Sequence, residues 1–236
     1  RLRRFAVLIA ARNEESCIAG LIESLRAQHY PPELVDIWVL PNNCTDRTAE
    51  AARRAGAQVL EMPASVRSKG TALHTAAKAL LRSARNYDAF CVFDADNEAD
   101  PAFLSEMNRA LDRTAIVKSR ILAKNRTQAG NSACYEIYFC SANHFLNRAR
   151  EAVGLSPRVI GTGFAIRRDL LEALDGFPCR TLTEDAELYA ACLCRGARIG
   201  YCETAVTYDE EPVTWRASLV QRRRWMSGIL QVARLT

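Results

Sequence analysis

The sequence contains no apolar run approaching the ~18 residues that a membrane-spanning helix requires, and no signal-peptide pattern opens it. The expectation is a piece that does not itself cross a bilayer. Its start in a basic run and its end inside a helical pattern suggest a segment of a longer protein with flanking spans. Pro/Gly-rich linkers and internal repeats are missing too, which leaves 236 residues to form one sizeable domain. The nine cysteines include no Cys-x-x-Cys pair and the three histidines no paired spacing, so the usual metal and redox signatures are absent. An odd number of thiols cannot all be bridged. Cys91, Cys134, Cys140 and Cys192 are read as small buried apolar residues in a reduced protein, which points to the cytoplasm.

Charge imbalance is also slight, at +5, with 49% apolar and 25% charged residues. Such a composition excludes disorder. A nucleic-acid partner is not expected, because the basic residues form short groups, Arg1-Leu2-Arg3-Arg4 and Arg222-Arg223-Arg224, rather than a broad stripe with exposed aromatics. Both groups adjoin apolar segments and fit anionic phosphates or an anionic leaflet.

What is present is alternation. Apolar runs at 5–10, 35–40, 57–60 and 89–93 read as strands. Between them, Ile18, Leu21, Ile22 and Leu25 fall at helical spacing, and helices are expected over 48–55, closed by Gly56, and 70–84. The order implies a mostly parallel sheet with helices on both faces. Asp100-Pro101 predicts an N-cap followed by proline at the first helical position. Beyond it, strands are expected at 115–118 and 159–166. Helices are expected at 134–148, at 185–195 stopped by Gly196, and from Thr214 onward.

In open α/β sheets ligands bind beyond the carboxyl ends of the strands, and here those positions are polar: Arg12-Asn13-Glu14-Glu15, Asn42-Asn43-Cys44-Thr45-Asp46 and Asp94-Ala95-Asp96. Asp94 and Asp96 suit a hard cation, Mg²⁺ or Mn²⁺, bridging to phosphate, or form an acidic turn. Asn42 and Asp46 can read a base or ribose, while Thr45 and Asp46 can also cap the next helix. Lys69-Gly70 at a helix start suits a diphosphate. In Thr183-Glu184-Asp185, Thr183 can cap a helix, and a carboxylate there can serve as general base. Trp215, Leu219, Trp225, Ile229 and Leu230, set among arginines, form an amphipathic pattern suited to a membrane surface or to closing a site by clamping diphosphate and stacking on sugar.

Ala11-Arg12-Asn13-Glu14, Asn42-Asn43-Cys44-Thr45-Asp46-Arg47-Thr48, Lys69-Gly70, Asp94-Ala95-Asp96, Thr183-Glu184-Asp185 and Gln221-x-x-Arg224-Trp225 together resemble the family-two inverting glycosyltransferases, the superfamily of cellulose, chitin and hyaluronan synthases. The resemblance covers nearly the whole chain. It implies an α/β A-type glycosyltransferase fold, Rossmann-like, with a nucleotide-sugar half (1–113), an acceptor and catalytic half (114–212) and an amphipathic interface helix (213–236). Ala11, Asn13, Glu14, Asn42 and Asp46 would lie near the nucleoside of a UDP-sugar and Lys69 near its phosphates. Asp94 would face the nucleotide and Asp96 ligate the metal. Asp185, with Glu184 beside it, would deprotonate the acceptor hydroxyl, and Arg224 would meet the diphosphate. Gly161, Thr162, Gln221 and Trp225 would meet a saccharide or lipid-linked acceptor at the cytoplasmic side of the cell membrane. Many relatives carry two consecutive aspartates where this chain has Pro41-Asn42, so the preferred base is left open. A metal-dependent nucleotidyltransferase is the rival enzyme, without the glycine-rich triphosphate loop it would need after the first strand. A non-catalytic nucleotide or carbohydrate module is the rival of another class.

Overall fold

The computed structural model describes residues 1–235. The first half alternates as expected: β1 (Phe5–Ala11), α1 (Ile18–Arg26), β2 (Val35–Pro41), α2 (Thr48–Arg54), β3 (Gln58–Val59), α3 (Lys69–Leu81), β4 (Ala89–Asp94), β5 (Glu98–Ala99) and α4 (Phe103–Ala110). The second half holds β6 (Ile116–Ala123) and α5 (Gly130–Ser141), which continues through a π-helical stretch, Ala142–Arg148, into α6 (Ala149–Ala152). Then come β7 (Phe164–Arg167), α7 (Arg168–Ala173), α8 (Glu184–Cys194), β8 (Ile199–Asp209) and α9 (Trp215–Ala233). Thr236, the last residue of the expected 213–236 segment, lies outside the described residues.

Eight strands among the described residues form one sheet in the order β3-β2-β1-β4-β7-β6-β8-β5. The pairs β1–β2, β1–β4, β2–β3 and β6–β8 are parallel, while β7 runs antiparallel between β4 and β6, and β5 antiparallel to β8. Helices cover both faces. Phe5, Val7 and Ile9 of β1 pack with Leu21, Ile22 and Leu25 of α1 and with Phe103 and Met107 of α4. The alternate residues Ala6 and Leu8 pack with Leu73, Ala76 and Leu80 of α3 and Leu188 of α8. Period-two alternation along a strand sorted these residues to opposite faces. Because β1, β2 and β4 are parallel and in register, their carboxyl ends, Ala11, Pro41 and Asp94, come to one edge.

Several expectations are corrected. The α-helix after Asp100-Pro101 begins at Phe103, and Asp100 Oδ1 accepts from the Ala102 amide at 2.9 Å, so the pair forms a turn ahead of the helix. Residues 159–163 approach the sheet as a turn and only Phe164 begins the strand, because Gly163 sits at φ +59°. Strand β8 is absent from the sequence reading altogether. Cys134 and Cys140 are exposed on the outer face of α5, whereas Cys91 and Cys192 are buried; all nine thiols are free. The arginines of the first basic group are engaged internally, Arg1 with Asp88, Arg3 with Asp112 and Arg4 with Asp36. Arg3 is itself buried. Arg1, by contrast, stays largely exposed while paired. No helix among the described residues is long and apolar enough to cross a membrane.

Candidate functional site

A cavity of about 530 Å³ opens where β1, β4 and β8 end. Its polar wall holds Glu14, Lys69, Asp94, Asp96, Glu184, Asp185, Asp209, Glu210 and Glu211, with the Gly161–Thr162 backbone. Its apolar wall holds Ile121, Tyr135, Tyr138, Phe139, Ile160, Trp225 and Ile229. Of the residues singled out from sequence, Glu14, Lys69, Asp94, Asp96, Gly161, Thr162, Glu184, Asp185, Gln221, Arg224 and Trp225 are brought together here.

Ala11, Asn13, Asn42 and Asp46 lie outside this lining, at the adjacent ends of β1 and β2. Ala11 turns its side chain into the first core cluster, and its carbonyl accepts from the Asn42 amide at 2.8 Å. Asn13, at φ +61°, accepts through Oδ1 from the Thr45 amide at 2.8 Å. Asp46 Oδ1 accepts from the Thr48 amide and hydroxyl, at 3.1 and 2.5 Å, in a turn just ahead of α2; the N-cap residue of that helix is Arg47, without a side-chain cap, so the capping expected of Thr45 and Asp46 is not made. The Thr48 hydroxyl, and after it the Glu15 and Thr48 amides, hold this carboxyl below the usual carboxylate range. Thr183 likewise makes no side-chain cap for α8, and its buried Oγ1 has no hydrogen-bond partner.

Lys69 enters the cavity because Ser68 caps α3: Ser68 Oγ accepts from the Thr71 amide while Thr71 Oγ1 accepts from the Ser68 amide, both at 3.1 Å. The Lys69 ammonium donates to Asp94 Oδ1 at 2.5 Å and to the Gly161 carbonyl at 2.6 Å, and lies 3.4 Å from Glu184 Oε1. Burial alone would pull this lysine down, but Asp94 and Glu184 outweigh it and hold the ammonium above its ordinary value. Gly161 lets these groups come close: a Cβ there would stand 3.2 Å from Lys69 Nζ, a tight contact, and 3.4 Å from Glu184 Oε1, with Asp185 Oδ2 at 3.9 Å.

The other carboxylates are under-compensated. Asp96 is pushed up to about 6, first by burial and then by Asp94. Asp209 is raised well above the usual range by burial and by Glu211, and Glu211 rises to about 7 through burial and Asp96. Glu211 Oε1 is buried without a hydrogen-bond partner. Acids held this way favour a cation. Among the described residues no three His, Cys, Asp or Glu side chains form a ready cage. Two carboxylates that leave the rest of the shell to phosphate and water match the habit of Mg²⁺, so the donor set fits a hard divalent cation carried with a diphosphate.

Helix α9 roofs the cavity. Thr214 caps it, accepting from the Ala217 amide at 3.3 Å. Gln221 Oε1 accepts from the Tyr135 hydroxyl at 3.0 Å, Arg222 lies 5.1 Å from the Tyr135 ring centre, and Trp225 packs on Ile121, Tyr135 and Phe139. Arg224 also borders a second cleft with Thr214, Arg216 and Val220. Close approach is possible because Gly228 faces Thr183, whose Oγ1 would lie 2.5 Å from a Cβ at that glycine.

Asp209, Glu211, Tyr135 and the buried Lys118 were not found from sequence. The signal for the first two was the same polar strand end used for Asp94, at the end of a strand that went unrecognised.

Residues 3–228 match the family described as glycosyltransferase like family 2. The probable glycosyltransferase YdaM of Bacillus subtilis (strain 168) is 27% identical over 239 residues, covering 96% of this chain and 55% of that protein. The beta-monoglucosyldiacylglycerol synthase of Synechocystis sp. (strain ATCC 27184 / PCC 6803 / Kazusa) is 26% identical over 233 residues, covering 94% of this chain and 47% of that protein. The chain thus spans about half the length of the curated relatives it matches. Among solved structures, the mannosyltransferase PcManGT from Pyrobaculum calidifontis, in complex with GDP-Man and Mn²⁺, superposes with a TM-score of 0.75 at 21% identity, over 99% of this chain and 65% of that one. Glucosyl-3-phosphoglycerate synthase from Mycobacterium tuberculosis, in complex with Mn²⁺, UDP and glucosyl-3-phosphoglycerate, gives 0.65 at 22% identity, over 98% and 80%. The fold shared with both is the mixed α/β A-type fold.

Proposed function

Because the chain belongs to the glycosyltransferase family 2-like proteins, we propose that it moves a hexosyl group, with inversion, from a nucleoside-diphosphate sugar to a saccharide or lipid-linked acceptor. The observation that carries this reading is the convergence of Asp94, Asp96, Lys69, Glu184, Asp185 and Arg224 on one cavity that also has an apolar wall. A cation-binding carboxylate pair, a candidate base and a diphosphate-binding guanidinium stand together there. The finer placement within the cellulose, chitin and hyaluronan synthase group rests on the Gln221-x-x-Arg224-Trp225 motif.

In this reading residues 1–113 form the donor half, with Ala11, Asn13, Glu14, Asn42 and Asp46 around the nucleoside. Residues 114–212 carry the acceptor and catalytic groups, and 213–236 the interface helix. Mg²⁺ or Mn²⁺, held by Asp96 and Asp94, supplies positive charge for the diphosphate when bound. Lys69 exchanges one of its present partners for a phosphate oxygen as the donor enters. Asp185 takes the proton of the acceptor hydroxyl, whose oxygen bonds to the anomeric carbon as the bond from that carbon to the diphosphate oxygen breaks. Arg224 meets the departing diphosphate. One displacement inverts the anomeric centre, and Glu184, tied to Lys69, keeps Asp185 beside the Gly161 turn. Gly161, Thr162, Gln221 and Trp225 border the acceptor, with the aromatic wall suited to a sugar face or an acyl chain. The glycolipid synthase among the relatives supports an acceptor of the second kind.

The proposal also sets the reaction at the cytoplasmic face of a membrane. Support comes from the free thiols and from apolar side chains exposed next to arginines on α9, including Trp215 at 69% and Val220 at 67%.

Calorimetric titration with UDP, GDP and CDP, each with and without Mn²⁺, tests the donor site. Metal-dependent binding to one of them is expected, lost in Asp96→Ala and kept in Asp185→Asn, which should transfer no sugar. A folded protein that binds none of the three nucleotides sinks the reading.

A further inference from the structure

Lys118 is an ammonium that the mechanism above leaves unused. It sits within β6 at 0% exposure, and burial pulls it down to about 7. Its Nζ donates to the Thr162 carbonyl at 2.9 Å, the Gly163 carbonyl at 3.1 Å and Ser119 Oγ at 3.2 Å. Its partners are two carbonyls and a hydroxyl, not a carboxylate. An apolar residue would fill a strand interior without the desolvation penalty, so the lysine is explained by what its bonds hold.

They hold the turn at 161–163. On the cavity side the Gly161 carbonyl accepts from Lys69 at 2.6 Å. The Thr162 hydroxyl accepts from the Asp94 amide at 3.0 Å and donates to Asn97 Oδ1. Asn97 in turn donates to Asp209 Oδ1 at 2.7 Å and to Asp96 Oδ1 at 3.3 Å. Beneath the turn the packing is tight: a Cβ on Gly163 would stand 2.5 Å from both Ser119 Oγ and Thr207 Oγ1. One lysine thus grips the turn from the cavity, at Gly161, and another from the core, at Thr162 and Gly163. We propose that Lys118 is a positioning residue for sugar transfer, fixing the Thr162 and Gly163 carbonyls so that the turn presents its Gly161 carbonyl to Lys69 and its Thr162 hydroxyl to Asp94 at once. The role rests on the transferase reading of the cavity. Bonds from a buried amine suit it, because a buried carbonyl left without a partner is costly.

The test compares Lys118→Met, and Lys118→Gln as a shorter donor, with the parent protein by hydrogen exchange and by steady-state kinetics. In Lys118→Met the Asp94 and Gly163 amides should exchange faster by about tenfold while those of Val7 and Leu8 in β1 do not change. Turnover should fall on the order of 100-fold, with donor KM changed less than about threefold, as expected when reacting groups are misplaced rather than unbound. Lys118→Gln should recover part of both effects. Unchanged Asp94 and Gly163 exchange overturns the proposal, as does an equal acceleration at every amide, which would make Lys118 a stability residue only. Local loosening with parental turnover overturns it too. A parent protein that transfers no sugar defeats the transferase reading instead, and the exchange data separate that failure from the lysine's own.

Discussion

Replacing Gly163 by alanine probes the turn on which the cavity depends, and the structure fixes the size of the effect. The residue sits at φ +59°, where a side chain costs about 1–2 kcal/mol relative to glycine. The new Cβ would stand 2.5 Å from Ser119 Oγ and Thr207 Oγ1, both on residues at 0% exposure with no free volume to move into. Overpacking of this kind adds about 1–3 kcal/mol. The sum is centred near 3–4 kcal/mol, which for a chain of this length lowers the melting temperature by roughly 6–16 °C. Thermal unfolding followed by circular dichroism measures it. Repeating Gly163→Ala in a Ser119→Ala/Thr207→Ala background removes the hydroxyl overlaps and should leave about the conformational part, 1–2 kcal/mol. A loss below about 1 kcal/mol in the parent background would refute the reasoning, since neither the backbone conformation nor the contact distances would then be those described.

Two further outcomes follow from burial and close approach. Lys118 is depressed to about 7 from an ordinary 10.5, so between those values the unfolded chain holds more protons and stability rises with pH. The penalty is full below pH 7. Lys118→Met lacks this slope, so its melting temperature relative to the parent should be most favourable below pH 7 and decline toward pH 10; a difference independent of pH would count against the buried charge. Gly228→Ala drives a methyl into Thr183 and displaces α9. Transfer should drop at least about tenfold while the melting temperature moves less than about 3 °C, and Thr183→Ala in the same chain should restore activity. A parallel loss of stability would show α9 to be part of the core.

Much of the first half of the chain was legible because its strands are continuous apolar runs. Phe5–Ile9 and Ala89–Phe93 are buried on both faces, and polar residues follow soon after, so both the strands and the chemistry at their ends could be read. Strand β8 was not, and the reason is local: its pairing with β6 jumps from Ser119↔Cys202 to Arg120↔Val206, so the intervening residues 203–205 break the two-residue alternation that marks a strand. With β8 went Asp209 and Glu211. Lys118 was hidden for another reason, since a lysine in an apolar strand ordinarily reads as a solvent-facing position. The Cys134 and Cys140 expectation failed because α5 and the π-helical stretch after it turn part of an apolar sequence outward, with Ile137 and Phe145 at 66% and 72% exposure, and composition does not tell which side of a helix meets the core.

Helix α9 spans nineteen residues yet buries only Ser218, Gly228 and Val232 among those described. Two of these are among the smallest side chains available, so the helix lies along a narrow seam and shares little packing with either large core cluster. In the reading proposed above, Asp94, Asp96 and Lys69 are rooted in the sheet and in α3, where most changes are felt by the whole fold. Arg224 and Trp225 stand instead on a helix whose residues can be rewritten with little consequence for folding, a ready route to altered acceptor and leaving-group contacts above the same carboxylates.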